Sequence, residues 1–475
     1  MEKLLKFLHV LKRKFNLRMH MWPSSPIVVI LGSTGTGKSK LALELARKFE
    51  GEIISADSMQ VYKSLDIITN KVTAEEQQIA PHHMLDFLSP TQRFTVVDFQ
   101  NKVLPLIDKI HSRHHLPIIV GGTYYYVESL LWKTLVKTGK DHSSELLLFE
   151  KEKAISGDVR MPEVASTDNN SEKRGDSSDK TPTFVSVYQD DIHLISNEEL
   201  HNRLKEIDPV IADQLHPNNR RKVIRSLQVY EQTGRLYSDY IHEQMSMKGG
   251  SSLGGPLRFP NSCILLLQCK QSVLDERLDA RVDEMMERGL IDELIDFHCE
   301  WAKERTDETK EADYTKGLFQ SIGFKEFHDY LMLSEKERST EDGDKLLKLG
   351  VEKLKIANHQ YSRKQQKWIK NRVLQKADRE IPPVYGLDVT DLSSWQKSVE
   401  HPSITIVDAL MKGEIPSIAP ISRTLSTPFE KKTFKCEICD RIFVGGDQWE
   451  AHLKSNKHKK VIASKRKEAR TEKIS

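Results

Sequence analysis

The chain has few cysteines, no long apolar run and almost no charge imbalance. Five cysteines in 475 residues are too few for the disulfide framework of a small secreted protein. No apolar run reaches the roughly 18 residues that a membrane-spanning helix needs, so we expect no membrane partner. The net charge of +3, from 72 basic and 69 acidic side chains, indicates no particular binding partner by itself.

Acidic residues are also missing between Glu2 and Glu44. In this segment Lys and Arg alternate with Leu and Phe, which is typical of an amphipathic mitochondrial presequence. We interpret residues 1–24 as a basic targeting segment and expect a mitochondrial location, with a cytoplasmic or nuclear share left open. A basic tail without a targeting role is the alternative, because Ser is scarce and Lys outnumbers Arg.

A glycine-rich stretch, GSTGTGKS, follows the apolar run SPIVVILG and precedes a helical pattern that stops at Gly51. The run predicts a buried parallel strand. The stretch matches G-x-x-x-x-G-K-[ST], in which backbone N–H groups enclose phosphate oxygens, the lysine adds charge and the hydroxyl can hold Mg²⁺. The predicted phosphate-binding residues are Gly32, Ser33, Thr34, Gly35, Thr36, Gly37, Lys38 and Ser39.

Two further predicted strands, EIISADS and LPIIVGGT, alternate with helical stretches and indicate a parallel α/β sheet. The first strand is followed by Asp57 and the second by Gly-Gly-Thr123. Because the carboxyl ends of parallel strands meet at one edge, Asp57 should lie close to the phosphate loop. A carboxylate there can bind Mg²⁺ or accept a proton from a nucleophile, and a helix cap is the alternative role.

The C-terminal region contains the spacing of a C2H2 zinc finger. Two thiolates and two imidazoles suit tetrahedral Zn²⁺, and four protein ligands make a closed, structural site. Phe443 and Leu453 are the predicted apolar core of this ββα module, and the lysine-rich tail behind it favours an RNA phosphate backbone. The predicted ligands are Cys436, Cys439, His452 and His458.

Composition divides the chain into segments around a P-loop NTPase-like core. Residues 156–183 are rich in Ser, Asp, Lys and Asn and poor in large apolar residues, which predicts disorder. The predicted segments are the first part of the core (25–135), a helical insertion (136–215), the second part of the core with RNA-binding helices (216–380), a linker (381–430), the zinc finger (431–462) and a basic tail (463–475).

Eight ordered motifs resemble the tRNA dimethylallyltransferase (tRNA isopentenyltransferase) family over about residues 27–372, interrupted by the insertion, and the finger resembles the eukaryotic branch. The motifs are GSTGTGKSKLALELA, ISADSMQVY, HHMLDF, LPIIVGGTYYYVESLL, LHPNNRRKVIRSLQVYEQTGR, RVDEMMERGLIDEL, SIGFKEF and HQYSRKQQKWIK. The resemblance implies transfer of a dimethylallyl group from dimethylallyl diphosphate to N6 of the adenosine 3′ to the anticodon of a tRNA.

In that reaction the diphosphate is the leaving group, and Lys38, the loop amides and Mg²⁺ on Ser39 stabilise its growing charge. The resemblance implies that Asp57 is the catalytic base and that Thr34 lies near the reacting carbon. It also implies that the target base is contacted after the second strand. These predicted contacts are Ser58, Met59 and Gln60, with Thr123 at the mouth of the site.

Cations in two further segments are predicted to contact the polyanionic substrates. Arg225 matches the arginine of the family's R-A-L-E pattern, and we assign it to the diphosphate. The arginine usually found three residues earlier is Lys222 here, beside Arg220 and Arg221, so the division between diphosphate and tRNA contacts is open. The segment HQYSRKQQKWIKNR mixes cations with aromatic rings, which suits tRNA binding, through Arg363, Lys364 and Lys367. A basic helix packed on the core by Trp368 is its alternative reading.

Three other functions compete with this interpretation. A small-molecule kinase would hold ATP in the loop, and an isopentenyltransferase could act on free adenine nucleotides. The basic helix and the finger argue against both, because neither reaction needs so much RNA-binding surface. A non-catalytic nucleic-acid-binding protein would leave the loop and Asp57 unexplained. A monomer is the default expectation.

Overall fold

The computed structural model describes residues 25–133, 192, 194–251, 253–305, 314, 317–423 and 432–471. The predicted targeting segment and the predicted disordered stretch lie outside these residues. The described residues divide into two compact units, the first within residues 1–134 and 247–426 and the second within residues 135–246 and 427–475. In the described ranges, no helix has both the length and the apolar character required to cross a bilayer.

A six-stranded sheet in which every pair of neighbours is parallel forms the centre of the first unit. The strand order β3-β2-β4-β1-β5-β6 brings the carboxyl ends of β1, β2 and β4 together. The predicted P-loop NTPase-like sheet is confirmed. The strands are β1 (Ile27–Leu31), β2 (Gly51–Ser55), β3 (His82–His83), β4 (Leu116–Val120), β5 (Ser262–Gln268) and β6 (Val384–Asp388).

Helices cover both faces of this sheet, which is why β1, β2 and β4 are buried along their whole length and β1 and β4 are entirely apolar. Those of the first unit are α1 (Lys38–Phe49), α2 (Ala74–Ile79), α3 (Val96–Ser112), α4 (Tyr124–Leu131), α9 (Gln271–Glu287), α10 (Leu290–Arg305), α11 (His328–Leu331), α12 (Glu335–Arg338), α13 (Glu341–Ile369) and α14 (His401–Lys412). The second unit contains α5 (Asn197–Ile207), α6 (Pro209–Ala212), α7 (Arg220–Thr233), α8 (Tyr237–Ser246), β7 (Thr433–Cys436), β8 (Arg441–Val444), α15 (Gly446–Lys454) and α16 (Asn456–Thr471).

The helix behind the phosphate loop shows how the sequence pattern becomes packing. α1 repeats apolar residues at helical spacing, and Leu41 and Leu45 are completely buried against the sheet. Full burial of one such side chain contributes roughly 1.5–3 kcal/mol. The helix ends at Phe49, and its C-cap residue Glu50, with φ 49°, directly precedes the predicted stop at Gly51.

The interpretation of residues 381–430 as a linker is wrong over much of its length. β6 pairs with β5 as an edge strand, and α14 buries Ile406 and Val407 in the core beside α1. Two prolines directly before β6 suggested a linker. An edge strand tolerates proline at its start, because the missing N–H would face outward. The carbonyl of Pro383 even joins the ladder by accepting the Ile264 N–H at 2.9 Å.

The second unit contains a helical bundle and the finger hairpin. Leu200 and Leu204 of α5 pack with Val223 and Leu227 of α7 in one apolar cluster. The predicted return to the core at residue 216 is therefore wrong, because α7 and α8 belong to this unit. β7 and β8 form an antiparallel hairpin followed by α15, which confirms the predicted ββα module.

Candidate active site and metal centre

The phosphate loop connects β1 to α1 and is folded tightly on itself. Gly35 and Gly37 have φ values of +82° and +83°, a conformation that side chains with a Cβ avoid. The buried Thr36 hydroxyl donates to the Ser33 carbonyl at 2.8 Å, and Lys38 Nζ donates to the same oxygen at 3.0 Å. This arrangement begins α1 with open backbone N–H groups, which form an anion site together with the helix dipole.

Side chains from distant parts of the chain hold the tip and the start of the loop. The Thr34 N–H donates to Gln365 Oε1 at 2.7 Å, and Arg281 Nη1 donates to the Thr34 hydroxyl at 2.9 Å. Tyr124 donates its hydroxyl proton to the Gly32 carbonyl at 2.6 Å. Arg281 lies on α9 and Gln365 on α13, both in the first unit. Thr34, the residue predicted to lie near the reacting carbon, is therefore held on two sides.

Neither Arg281 nor Gln365 is singled out by the sequence. Both lie inside family-like motifs, RVDEMMERGLIDEL and HQYSRKQQKWIK, so the motifs were the available signal. Arg281 is half-buried, and its Nε is buried without a hydrogen-bond partner among the described residues. Burial lowers the pKa of its guanidinium from the usual value, with Glu284 opposing the shift. An unsatisfied N–H beside a phosphate loop is suited to an anionic ligand.

Asp57 lies where β2 ends, at the edge of the sheet that also carries the loop. Its Oδ1 accepts the Met59 N–H at 2.9 Å within a turn, and the next helix of the chain begins only at Ala74. Burial raises the pKa of Asp57, whereas backbone N–H groups, including that of Met59, and the Lys38 charge oppose the rise. Burial also disfavours the charged form of Lys38 and lowers its pKa to about 8. The charge of Asp57 opposes this shift, and that of Arg281 adds to it. The site thus contains a carboxylate with a raised pKa and an ammonium group with a lowered pKa, and the charge of each opposes the shift of the other.

The residues predicted to contact the target base lie beside Asp57. The Ser58 N–H donates to the Thr123 hydroxyl at 2.9 Å, which connects the ends of β2 and β4. Gln60 Oε1 accepts the Ser55 hydroxyl at 2.8 Å, and Gln60 Nε2 donates to the Asn70 carbonyl at 3.0 Å. Gln60 therefore organises its own loop, while Met59 packs at the margin of the apolar cluster that contains Leu65, Phe297 and Phe324.

The basic segment of α13 divides its side chains between the core and the solvent. Trp368 packs on Tyr124, with ring centroids 5.1 Å apart, and Tyr361 donates to the Gly122 carbonyl at 3.2 Å. Arg363 pairs with Asp275 at 2.6 Å. Lys364 and Lys367 are exposed. The packing through Trp368 and a row of exposed cations are therefore both present, and the roles of these cations toward tRNA stay predictions.

The cations of α7 lie in the second unit. Arg220 Nη1 donates to the Ile195 carbonyl at 2.8 Å and to Asn197 Oδ1 at 3.0 Å, so this residue anchors α7 to the start of α5. Arg221 and Lys222 are exposed. Arg225 is half-buried, and its Nη1 has no hydrogen-bond partner among the described residues. Their roles toward diphosphate or tRNA stay predictions.

The finger brings its four predicted ligands together. The ligand atoms of Cys436, Cys439, His452 and His458 all lie within 4.8 Å of one another, with Cys439 Sγ 3.2 Å from His458 Nδ1. Zn–S and Zn–N bonds of about 2.3 and 2.0 Å place tetrahedral ligands roughly 3.5 Å apart. His452 Nε2 is buried without a partner in the described chain, and a metal would satisfy it. This donor set fits structural Zn²⁺.

Three aromatic rings, and not Leu453, form the apolar core of the finger. The Phe443 ring stacks on His452 at 4.1 Å, and Phe434 stacks on Trp449 at 5.6 Å. Leu453 is 41% exposed, so its predicted core role is wrong. Phe443 therefore orients the metal ligand His452 and also packs in the apolar core of the finger.

Fold and site together define an α/β enzyme of the phosphate-loop type, with a carboxylate facing the loop. Residues 60–372 match the family model described as IPP transferase, and residues 433–459 match a zinc-finger double-stranded RNA-binding model. The chain belongs to the IPP transferase family, which confirms the resemblance seen in the sequence.

The relatives support this membership over almost the whole chain. The tRNA dimethylallyltransferases of Mus musculus and Homo sapiens are each 45% identical over 444 residues, covering 93% of this chain and 87% of the relative. A solved structure of a eukaryotic dimethylallyltransferase acting on tRNA aligns with a TM-score of 0.73 and 28% identity, covering 95% of this chain and 100% of the other.

Proposed function

We propose that this chain transfers a dimethylallyl group from dimethylallyl diphosphate to N6 of the adenosine 3′ to the anticodon in tRNA, which forms N6-isopentenyladenosine. The observation that carries the proposal is the position of the Asp57 carboxylate after β2, at the sheet edge that also carries the phosphate loop, where its charge and that of Lys38 influence each other. The relatives named above are tRNA dimethylallyltransferases, and one solved relative is described as acting on tRNA.

The loop binds the donor through its diphosphate, which is also the leaving group. As the C–O bond breaks, negative charge grows on the diphosphate oxygens, and groups fixed around those oxygens lower the barrier. The loop N–H groups and the Lys38 ammonium provide this environment. With a pKa of about 8, Lys38 is mainly protonated at neutral pH before any phosphate arrives. The unsatisfied Nε of Arg281 adds a donor beside Thr34.

Asp57 acts on the nucleophile. The exocyclic amine of adenine attacks weakly because its lone pair is delocalised into the ring. The new N6–C bond forms as the C–O bond breaks, and the Asp57 carboxylate accepts the proton that N6 loses. Burial raises the pKa of Asp57, which increases the affinity of its carboxylate for this proton.

A divalent cation is the expected partner of a bound diphosphate. Ser39 is exposed in the first turn of α1, at the loop position whose hydroxyl holds Mg²⁺ in phosphate loops. Its exposure leaves room for a hydrated ion, so the residue fits Mg²⁺. The ion would neutralise part of the diphosphate charge, and Ser39 would hold it.

The RNA substrate accounts for features that a small-molecule reaction leaves unexplained. The target base must leave its stack in the anticodon loop, which costs roughly a few kcal/mol. The exposed Lys364 and Lys367, together with the finger, provide contacts that offset this cost.

One assay separates the competing functions. Purified protein is incubated with labelled dimethylallyl diphosphate, Mg²⁺ and either unmodified tRNA or AMP, and the nucleosides are identified by mass spectrometry. We expect N6-isopentenyladenosine only in tRNA, at the position 3′ to the anticodon. Equal transfer to AMP would replace the proposal with the free-nucleotide enzyme. ATP-dependent phosphorylation without prenyl transfer would replace it with the kinase.

A further inference from the structure

We propose that Trp395 is a positioning residue of the phosphate loop, and that it sets the affinity for the donor diphosphate without contacting the donor. Trp395 lies between a 3₁₀ turn (Leu392–Ser394) and a π-helical turn (Gln396–Glu400) that leads into α14. This segment follows residues 60–372, which match the family model. The sequence analysis interpreted the same segment as a linker.

The indole ring occupies the space beside Gly37 that a side chain would otherwise fill. A Cβ built on Gly37 would lie 3.0 Å from both Cζ3 and Cη2 of Trp395. Gly37 combines this close approach with a φ of +83° at the position directly before α1. The ring therefore supports the backbone at the turn where the loop becomes the helix.

Two further contacts fix the ring against α1. Trp395 Nε1 lies 3.0 Å from each carboxylate oxygen of Glu44, to which it donates, and Lys40 Nζ lies 4.4 Å from the ring centroid. Trp395 is 5% exposed, so the ring is enclosed on the side away from the helix as well. Hydrogen bond, cation–π contact and packing together leave the indole one position.

This support acts on binding more than on chemistry. A loop that already has its bound shape loses little conformational freedom when the diphosphate arrives, and affinity rises accordingly. The diphosphate occupies the loop both before and during the reaction, so looser support weakens the ground state and the transition state alike. Such a change raises KM for the donor and leaves kcat nearly constant.

The inference rests on the proposed function in one respect, namely that the loop binds the diphosphate of the donor. The test compares Trp395→Leu, Trp395→Phe and the control Trp301→Leu in the full chain. Trp395→Phe keeps a ring beside Gly37 and removes the Nε1–H donor. Trp301 is a half-buried tryptophan that packs with Phe297 in the apolar cluster that contains Leu65 and Phe324, so its removal reports general destabilisation.

Inorganic diphosphate affinity with Mg²⁺ is measured by calorimetry, and donor KM and kcat are measured with tRNA. We expect Trp395→Leu to weaken diphosphate binding and raise donor KM by about tenfold, with kcat within about twofold. Trp395→Phe should restore both constants to within about threefold of the wild type. Trp301→Leu should lower the melting temperature and leave donor KM unchanged.

Unchanged diphosphate affinity in a folded Trp395→Leu protein would overturn the inference, as would an equal loss in Trp301→Leu. A fall in kcat without a rise in KM would also overturn it. A wild type that binds diphosphate but transfers no prenyl group would refute the proposed function, and the calorimetry would still decide the role of Trp395. A wild type that binds no diphosphate would refute both.

Discussion

The phosphate loop and the zinc finger both depend on a few polar groups held close together, but their supports have different origins. The ligands of the finger lie between Cys436 and His458, and their spacing is visible in one short stretch of sequence. The loop is held at Thr34 by Gln365, which is 331 residues away along the chain. The finger is thus organised locally around a metal, whereas the loop depends on the whole sheet domain around it.

The largest effect on prenyl transfer should follow from Asp57→Asn. This substitution removes the proton acceptor and leaves the contacts that hold the phosphate loop in place. Prenyl transfer should fall by roughly 10²–10⁴-fold, because the amide cannot accept the N6 proton. Diphosphate affinity measured by calorimetry should stay close to that of the wild type. Loss of diphosphate binding would instead make Asp57 a metal ligand and part of the support of the loop.

Loss of the zinc ion should affect the finger and leave the phosphate loop unchanged. Cys436→Ser leaves three ligands, and a module of this size has little stability without its zinc. We expect tRNA affinity to fall by about tenfold or more in a binding assay with the anticodon stem-loop, with single-turnover transfer at saturating tRNA within about threefold. A loss of turnover equal to the loss of affinity would show that the finger also supports the catalytic unit.

Gln365→Leu tests the distant support of the loop. The substitution leaves the Thr34 N–H without its acceptor, and an unsatisfied buried donor costs about 1–3 kcal/mol. Donor KM should rise by about tenfold, whereas Tyr361→Phe, which removes a neighbouring hydrogen bond to the Gly122 carbonyl and keeps the acceptor of the Thr34 N–H, should stay closer to the wild type. Similar kinetics for both variants would mean that this hydrogen bond does not shape the loop.

The pH profile of kcat/KM for the donor should report the Asp57–Lys38 pair. Activity should fall at low pH as Asp57 becomes protonated, and the raised pKa moves this limb above the range of an ordinary aspartate. It should also fall above about pH 8 as Lys38 loses its proton in the free enzyme. Asp57→Asn should abolish the acidic limb of the residual activity. Persistence of that limb would assign it to another group.

The smallest effects should come from the exposed lysines of α13. Lys364→Ala and Lys367→Ala should each weaken tRNA binding by about two- to fivefold and reduce the salt dependence by about one counterion. Arg363→Ala is the matched control on the same helix, because Arg363 already pairs with Asp275. A salt dependence that changes only in the control would reverse this assignment.

The parts that the sequence predicts correctly are those with local signals. β1, the loop, the position of Asp57 and the four zinc ligands each follow from a short pattern of polarity and spacing. The missed parts depend on tertiary packing. Residues Val384–Asp388 form a strand only because β5 offers an unpaired edge, and α7 joins the second unit because Leu200 and Leu204 complete its apolar face. Arg281 and Gln365 act through contacts that no spacing rule connects.

The order of the strands has a consequence for how the polypeptide is made. β1 emerges early but pairs with β5 at residues 262–266, so the sheet cannot close until most of the chain has left the ribosome. β5 in turn stays an open edge with the apolar sequence CILLL until β6 covers it. Open apolar edges recruit other chains. A fragment cut at residue 380 should therefore aggregate during expression, while a fragment ending at residue 423 should stay in solution.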